Sequence, residues 1–173
     1  NDIPIDSLEA SYSPLSLFSK SATITIKGLI NADAKVSPTS TEYEAEISES
    51  VINRFSGEKA VLSAPLIVKG TGNPSEQSAD FTATVSKIEV DSPVGKLPFE
   101  NIQTDISVKG YAITVNKLTS RDDMNLDLKG LLKINPKNME KTIVNIKGTA
   151  DVFGQQKKIS LVGRIDNIQP SIK

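Results

Sequence analysis

Hydrophobic and polar residues alternate with a period of two along most of the chain, in β-branched segments separated by turn residues. From Ser21 to Val36, the side chains of Ile24, Ile26, Ile30, Ala32, Ala34 and Val36 share one parity, while Thr23, Thr25, Lys27, Asn31, Asp33 and Lys35 take the other. That pattern predicts a long strand buried on one side. Comparable runs cover Glu42 to Ile47, Ala60 to Lys69, Phe81 to Val90, Asn101 to Leu118, Met124 to Ile134, Thr142 to Phe153 and Lys157 to Ile168. Turn chemistry separates them: Ser-Pro-Thr-Ser at 37–40, Gly-Asn-Pro-Ser at 72–75, Ser-Arg-Asp-Asp at 120–123, Asn-Pro-Lys-Asn at 135–138 and Gly-Gln at 154–155. The expectation is an all-β domain with eight strands in a meander. One short helix is expected over Ser48 to Ser56, where Ile47, Val51, Ile52 and Phe55 recur at helical spacing. Ser48 suits its N-cap, Glu49 its first turn and Gly57 its C′ position. So short a helix reads as a lid over one end of the sheet.

Glycine placement sharpens the fold. Five of the ten glycines follow a lysine: Gly28, Gly70, Gly110, Gly130 and Gly148; Gly163 stands before Arg164 in a comparable context. Gly28, Gly130, Gly148 and Gly163 fall on the apolar parity of their strands, so a side chain is missing where one should face the core. The midpoints between Gly110 and Gly130, Gly130 and Gly148, and Gly148 and Gly163 all land in or beside turn segments, which predicts that these glycines oppose one another. With Gly148 opposite Gly163, Ile146 would meet Ile165. With Gly130 opposite Gly148, Leu132 would meet Ile146. A glycine fold line of Gly28, Gly110, Gly130, Gly148 and Gly163 would let a long sheet bend onto its own apolar face. That concave face would carry Ile24, Ile26, Ile106, Val108, Leu126, Leu128, Leu132, Ile134, Val144, Ile146, Ile159, Leu161 and Ile165. A curled shell is preferred to a flat β-sandwich in which glycines make room for a facing sheet.

Composition then removes whole classes of chemistry. The chain of 173 residues has no His, Cys or Trp, and 20 Lys+Arg balance 21 Asp+Glu. Imidazole bases, thiolate nucleophiles and the usual zinc ligands are therefore excluded. Interspersed charges of both signs leave no footprint for a nucleic-acid backbone. Absence of Cys fits an extracytoplasmic domain. No apolar run is long enough for a transmembrane helix. Because the chain starts at Asn1, the expectation is a piece of something longer, with any membrane anchor outside it. Residues 1–20 read as a leader or a strap, and 21–173 as one β-rich domain.

Long alternating strands with mid-strand Lys-Gly, the segment Lys96-Leu97-Pro98-Phe99-Glu100-Asn101-Ile102, and the close Leu161-Val162-Gly163-Arg164-Ile165-Asp166-Asn167-Ile168-Gln169-Pro170-Ser171-Ile172-Lys173 resemble the periplasmic region of AsmA-like proteins. Within that group the likeness is greatest to the N proteins of bacterial type II secretion systems. The resemblance implies a β-rich periplasmic domain tethered to the inner membrane, an accessory part of a protein-secretion machine whose partners are other secretion or envelope proteins. Relatives in the broad group carry lipid along an apolar β groove.

Other clusters are weak. Asp122, Asp123 and Asp127 lack the loop pattern that calcium needs and read as a surface turn. Glu42, Glu44, Glu46 and Glu49 are the solvent parity of a strand and its exit. Gly70-Thr71-Gly72 is too short for a phosphate loop. No cofactor, no metal and no enzymatic activity are expected. Two functions remain: a non-enzymatic scaffold, which a packed interior would favour, and a lipid-handling groove, which an open apolar channel would favour. Large residues near the glycines could fill a small shell, and this favours the scaffold.

Overall fold

A computed structural model of the chain describes residues 5–11, 20–56, 60–92, 95–121, 124–152, 154–165 and 167–173. Its strands are β1 (Ile5–Ser11), β2 (Ala22–Gly28), β3 (Ile30–Val36), β4 (Thr41–Ile47), β5 (Ala60–Leu62), β6 (Leu66–Asn73), β7 (Ser78–Ser92), β8 (Gly95–Lys109), β9 (Ala112–Ser120), β10 (Met124–Lys133), β11 (Ile143–Val152), β12 (Gln155–Arg164) and β13 (Asn167–Ile172), with one helix, α1 (Glu49–Ser56). All thirteen strands join one antiparallel sheet, in which each of twelve pairs with the next and β5 lies beside β7. The sheet is long, open and curved, as the alternation predicts.

The sheet has more strands than the eight expected because three long runs turn back on themselves, the run from Ala60 to Lys69 divides into β5 and β6, and the leader supplies β1. Ser21 to Val36 is a hairpin that reverses at Gly28 and Leu29. Asn101 to Leu118 reverses at Gly110 and Tyr111, where Gly110 has φ +54. Lys157 to Ile168 holds β12 and the start of β13. A Lys-Gly pair reads alike in sequence whether it bends a strand or ends one. Residues 5–11 of the leader are a strand on β2, at the edge opposite β13.

Polar turns form where their residues predict. The Asn73 side chain accepts from the backbone N–H groups of Ser75 (3.1 Å) and Glu76 (3.4 Å) and caps a 3-10 turn. Asn135 accepts from Lys137 and Asn138, each at 3.1 Å. Ser48 caps α1, accepting from Ser50 N–H (3.3 Å), while its own N–H donates to Leu29 O (2.9 Å). Gly57 lies outside the described residues, as does Phe153 at the end of the run from Thr142. Asn53 on α1 acts as an artificial strand: its Oδ1 accepts from Leu62 N–H at 2.7 Å and its Nδ2 donates to Leu62 O at 2.9 Å. This ties the lid to β5, where Val51 and Leu62 are buried.

The glycines are staggered rather than opposed. Gly130 pairs with Ile146, Gly148 with Leu128 and Ile159, and Gly163 with Val144 and Ile168. Gly110 lies in a turn and Gly28 ends β2, so neither marks mid-strand. Register moves because β9 carries an extra residue, Asn116, between Val115 and Lys117 on both neighbours; the loop from Ile134 to Thr142 and the Val152–Gln155 turn likewise do not close symmetrically about the glycine midpoints. The bend itself needs the missing side chains. A Cβ at Gly148 would lie 2.8 Å from Leu128 Cα and against the Asp127 carbonyl oxygen. At Gly130 it would lie 2.6 Å from Ile146 Cα and against the Asn145 carbonyl oxygen, and at Gly70 2.6 Å from Phe81 Cβ.

Two mutational outcomes follow from these contacts. Gly148→Ala should cost about 3 kcal/mol in urea unfolding, at the upper part of the overpacking range, because the obstacle is backbone that cannot rotate away. Gly110→Ala meets open space and should cost only about 1–2 kcal/mol, for its left-handed φ, while Lys147→Thr should stay within about 0.5 kcal/mol. Equal losses at Gly148 and Lys147 would reject the close approach. Asn53→Ala should cost about 1–3 kcal/mol by stranding both Leu62 backbone groups, and amide exchange at Leu62 should accelerate with it. Unchanged exchange there would mean that β5 holds its place without the helix.

Candidate functional site

Strand register assembles one continuous apolar face. Directly opposed residues of an antiparallel ladder lie on the same side, so a row can be followed from strand to strand. One row crosses twelve strands through Leu8, Ile26, Ala32, Ala45, Val68, Ala83, Thr104, Leu118, Leu128, Gly148, Ile159 and Ile172. A second passes through Ala10, Ile24, Ala34, Tyr43, Gly70, Phe81, Ile106, Val115, Gly130, Ile146, Leu161 and Pro170. A third, nearer the Ser37–Ser40 turn, holds Ala22, Val36, Thr41, Gly72, Ala79, Val108, Ile113, Leu132, Val144, Gly163 and Ile168. Twelve strands at about 4.8 Å spacing make the band roughly 50 Å long. Rows two residues apart make it roughly 14 Å wide before side chains are counted.

Eleven of the thirteen residues expected on the concave face lie in these rows or beside them within the strands: Ile24, Ile26, Ile106, Val108, Leu126, Leu128, Leu132, Val144, Ile146, Ile159 and Leu161. Ile134 falls just beyond β10, its N–H donating to Tyr111 O at 2.8 Å. Ile165 is a correction: it sits in the turn between β12 and β13 and is 46% exposed, because Gly163 pairs with Ile168 and the chain has already left the strand. Ile146 meets Leu161 rather than Ile165. Leu126 meets Ser120 and Ala150.

The face is not uniformly closed. Its buried residues, Ala83, Val85, Val115, Leu128, Val144 and Ala150, all belong to β7–β11. In β2–β4 every residue of the inner parity is only half-buried, and alanines at 22, 32, 34 and 45 stand among its larger side chains. The polar groups on the face are few and mostly occupied. Thr104 donates to Lys117 O at 3.0 Å. Tyr43 and Phe81 are the partners of Gly70 on its two sides. Partial burial, then the negative charge of Asp80, hold the Tyr43 hydroxyl above its ordinary pKa, so it stays a neutral donor.

Sequence reasoning missed Tyr43, Phe81, Ala83 and Val85, although each follows the period-two signal. It also missed the break in β7 and β8, where Val85 pairs with Ile102 and Lys87 with Glu100 but the intervening Ser86 and Asn101 are unpaired. Asn101 has φ +49 there, and its Nδ2 donates to Arg121 O at 3.1 Å. Apolar parity changes across that break, to Ile88 and Val90 in β7 and Leu97 and Phe99 in β8.

Among the described residues no cluster of carboxylates could hold a metal ion; Asp122 and Asp123 lie outside them. No described helix is long and apolar enough to cross a membrane. Glu44 meets Lys69 at 2.7 Å on the outer face, where Glu42, Glu44 and Glu46 alternate with inward residues as expected. Comparison with family models, with curated proteins and with solved structures finds no match to this chain.

Proposed function

We propose that the chain is a lipid-handling groove, which holds acyl chains along the apolar face of its curved sheet. The observation that supports this most is the absence, among the described residues, of any second layer over three apolar rows, two crossing twelve strands and one eleven. A compact monomer of 18.6 kDa would expose about 8,200 Å² by size scaling, whereas this molecule exposes 11494 Å². Surface beyond that of a compact monomer fits a single-layer sheet, and an apolar face that no second layer covers suits binding. Its shape suits chains rather than rings. A bilayer's hydrocarbon core of about 30 Å holds two acyl chains end to end, so a trough of roughly 50 Å has room for about three in line. Roughly ten buried methylenes contribute about 8 kcal/mol before ordering costs.

The resemblance to AsmA-like proteins points the same way, since that group carries lipid on such a groove, and it would place the domain in the periplasm of an envelope assembly. A scaffold of the secretion machine would call for an interior filled with side chains. That condition is met only in β7–β11.

The reading is tested by purifying the chain natively, extracting with organic solvent and identifying acyl chains by mass spectrometry. Stoichiometric phospholipid or fatty acid is the expected result. The paired variant Ala32→Phe, Ala45→Phe fills adjacent positions of one row and should lower bound lipid severalfold while leaving the β-sheet circular dichroism unchanged. A well-folded preparation free of acyl chains, which also takes up none from labelled vesicles, would return the assignment to the scaffold.

A further inference from the structure

We propose that the outer face of β10–β13 is an electrostatic docking strip for the surface of an anionic phospholipid bilayer. The register gathers lysines from four strands. Lys129 stands directly opposite Lys147, and Lys158 opposite Lys173, whose backbones exchange bonds of 2.8 and 3.0 Å. Lys147 pairs with Ser160, which pairs with Ser171, and Thr149 pairs with Lys158. Two adjacent rows of the outer face therefore carry four ammonium groups and three hydroxyls against a single carboxylate, Asp127. A depression of about 460 Å³ opens among Lys147, Thr149, Lys158, Ser160, Ser171 and Lys173.

These charges are unanswered within the described protein. None of the four lysines forms an ion pair with a described residue; Asp127 stands within the strip, opposite Thr149, and Asp151 in the row beyond, and neither pairs with these lysines. The other half of the outer face is built differently. There Glu44 meets Lys69 at 2.7 Å and Lys35 stands opposite Glu42, so opposite charges face each other across strands, while Thr25 donates to Asp33 at 2.6 Å. Like charges held opposite each other destabilise a ladder, and a surface of phosphates would relieve that repulsion at several lysines together. A strip shared by four strands of an extended sheet suits a planar array of headgroups, each lysine adding to adsorption. Ammonium and hydroxyl donors match phosphate oxygens.

This inference does not rest on the groove. The test is sedimentation of the chain with vesicles of phosphatidylcholine containing phosphatidylglycerol, against vesicles of phosphatidylcholine alone. Adsorption to the anionic vesicles only is expected, and it should disappear in high salt as the screening length shrinks to about 3 Å. Replacing Lys147, Lys158 and Lys173 by Gln should weaken the partition about a hundredfold. Replacing Lys27, Lys35 and Lys109 by Gln removes the same charge elsewhere and should weaken it less than tenfold, and the Ala32→Phe, Ala45→Phe variant should bind vesicles like the unaltered chain. Equal loss from both lysine triples, or equal binding to neutral vesicles, would overturn the strip. Displacement by inorganic phosphate at an ionic strength where sodium chloride leaves the vesicles bound would reassign it to a free-anion site and overturn the docking.

Discussion

The structure depends on an uninterrupted antiparallel ladder. Each strand from β1 to β13, apart from β5, is hydrogen-bonded to the next, and in such a ladder the side a residue takes is inherited by its partner. Apolar parity, once set in β2, is therefore transmitted across about 50 Å of sheet. The only described helix has eight residues and is about 12 Å long. It covers one corner, tied there by Asn53. Among the described residues, a face of that length is then sheltered only by the curvature of the sheet itself. Curvature brings neighbouring backbones close, and this is why Gly70, Gly130 and Gly148 have no space for a Cβ.

An open sheet must also manage two free edges. At one, β1 carries an extra residue at Asp6, since Ile5 pairs with Gly28 and Ser7 with Lys27, and such a bulge disturbs any further ladder. At the other, Lys158 and Lys173 exchange both backbone bonds, so the intervening residues Ile168, Pro170 and Ile172 turn their backbone groups outward. Pro170 offers no N–H there. Each edge is thus blunted by one local irregularity rather than by a covering segment of the described chain.

The alternation made strands, faces and turn chemistry legible, because each is decided by residues within a few positions. Ile24, Ile26, Leu128 and Val144 could be assigned to the inner face from parity alone. Register was not legible in the same way. It depends on how each connection closes, and a single inserted residue such as Asn116 shifts every later pairing on that edge. Gly28 and Gly110 show the matching ambiguity: a glycine that allows a turn and one that allows close backbone approach share the same Lys-Gly context. Ile165 was misplaced for that reason, since its assignment assumed that Gly163 lay opposite Gly148. The outer lysines were hidden too, because Lys129, Lys147, Lys158 and Lys173 are scattered in sequence and meet only through register.

Side-chain volume along the apolar rows divides the face into two regions with different work. In β7–β11 the rows carry Val, Ile, Leu and Phe beside Ala79, Ala83, Thr104, Gly130 and Gly148, and all of the sheet's most buried apolar positions on that face are there. In β2–β4 the same parity carries four alanines among its residues, and none is fully buried. Alanine burial stabilises far less than burial of Leu or Ile, at about 25 cal/mol per Å² of apolar area. Most of the folding energy therefore comes from the centre, and the flank is held chiefly by its ladder. Under the proposed lipid-handling role, that separation would leave the flank a shallow apolar floor without placing the fold at risk, because an acyl chain seated on Ala32, Ala34 and Ala45 would replace water rather than any side chain the core depends on.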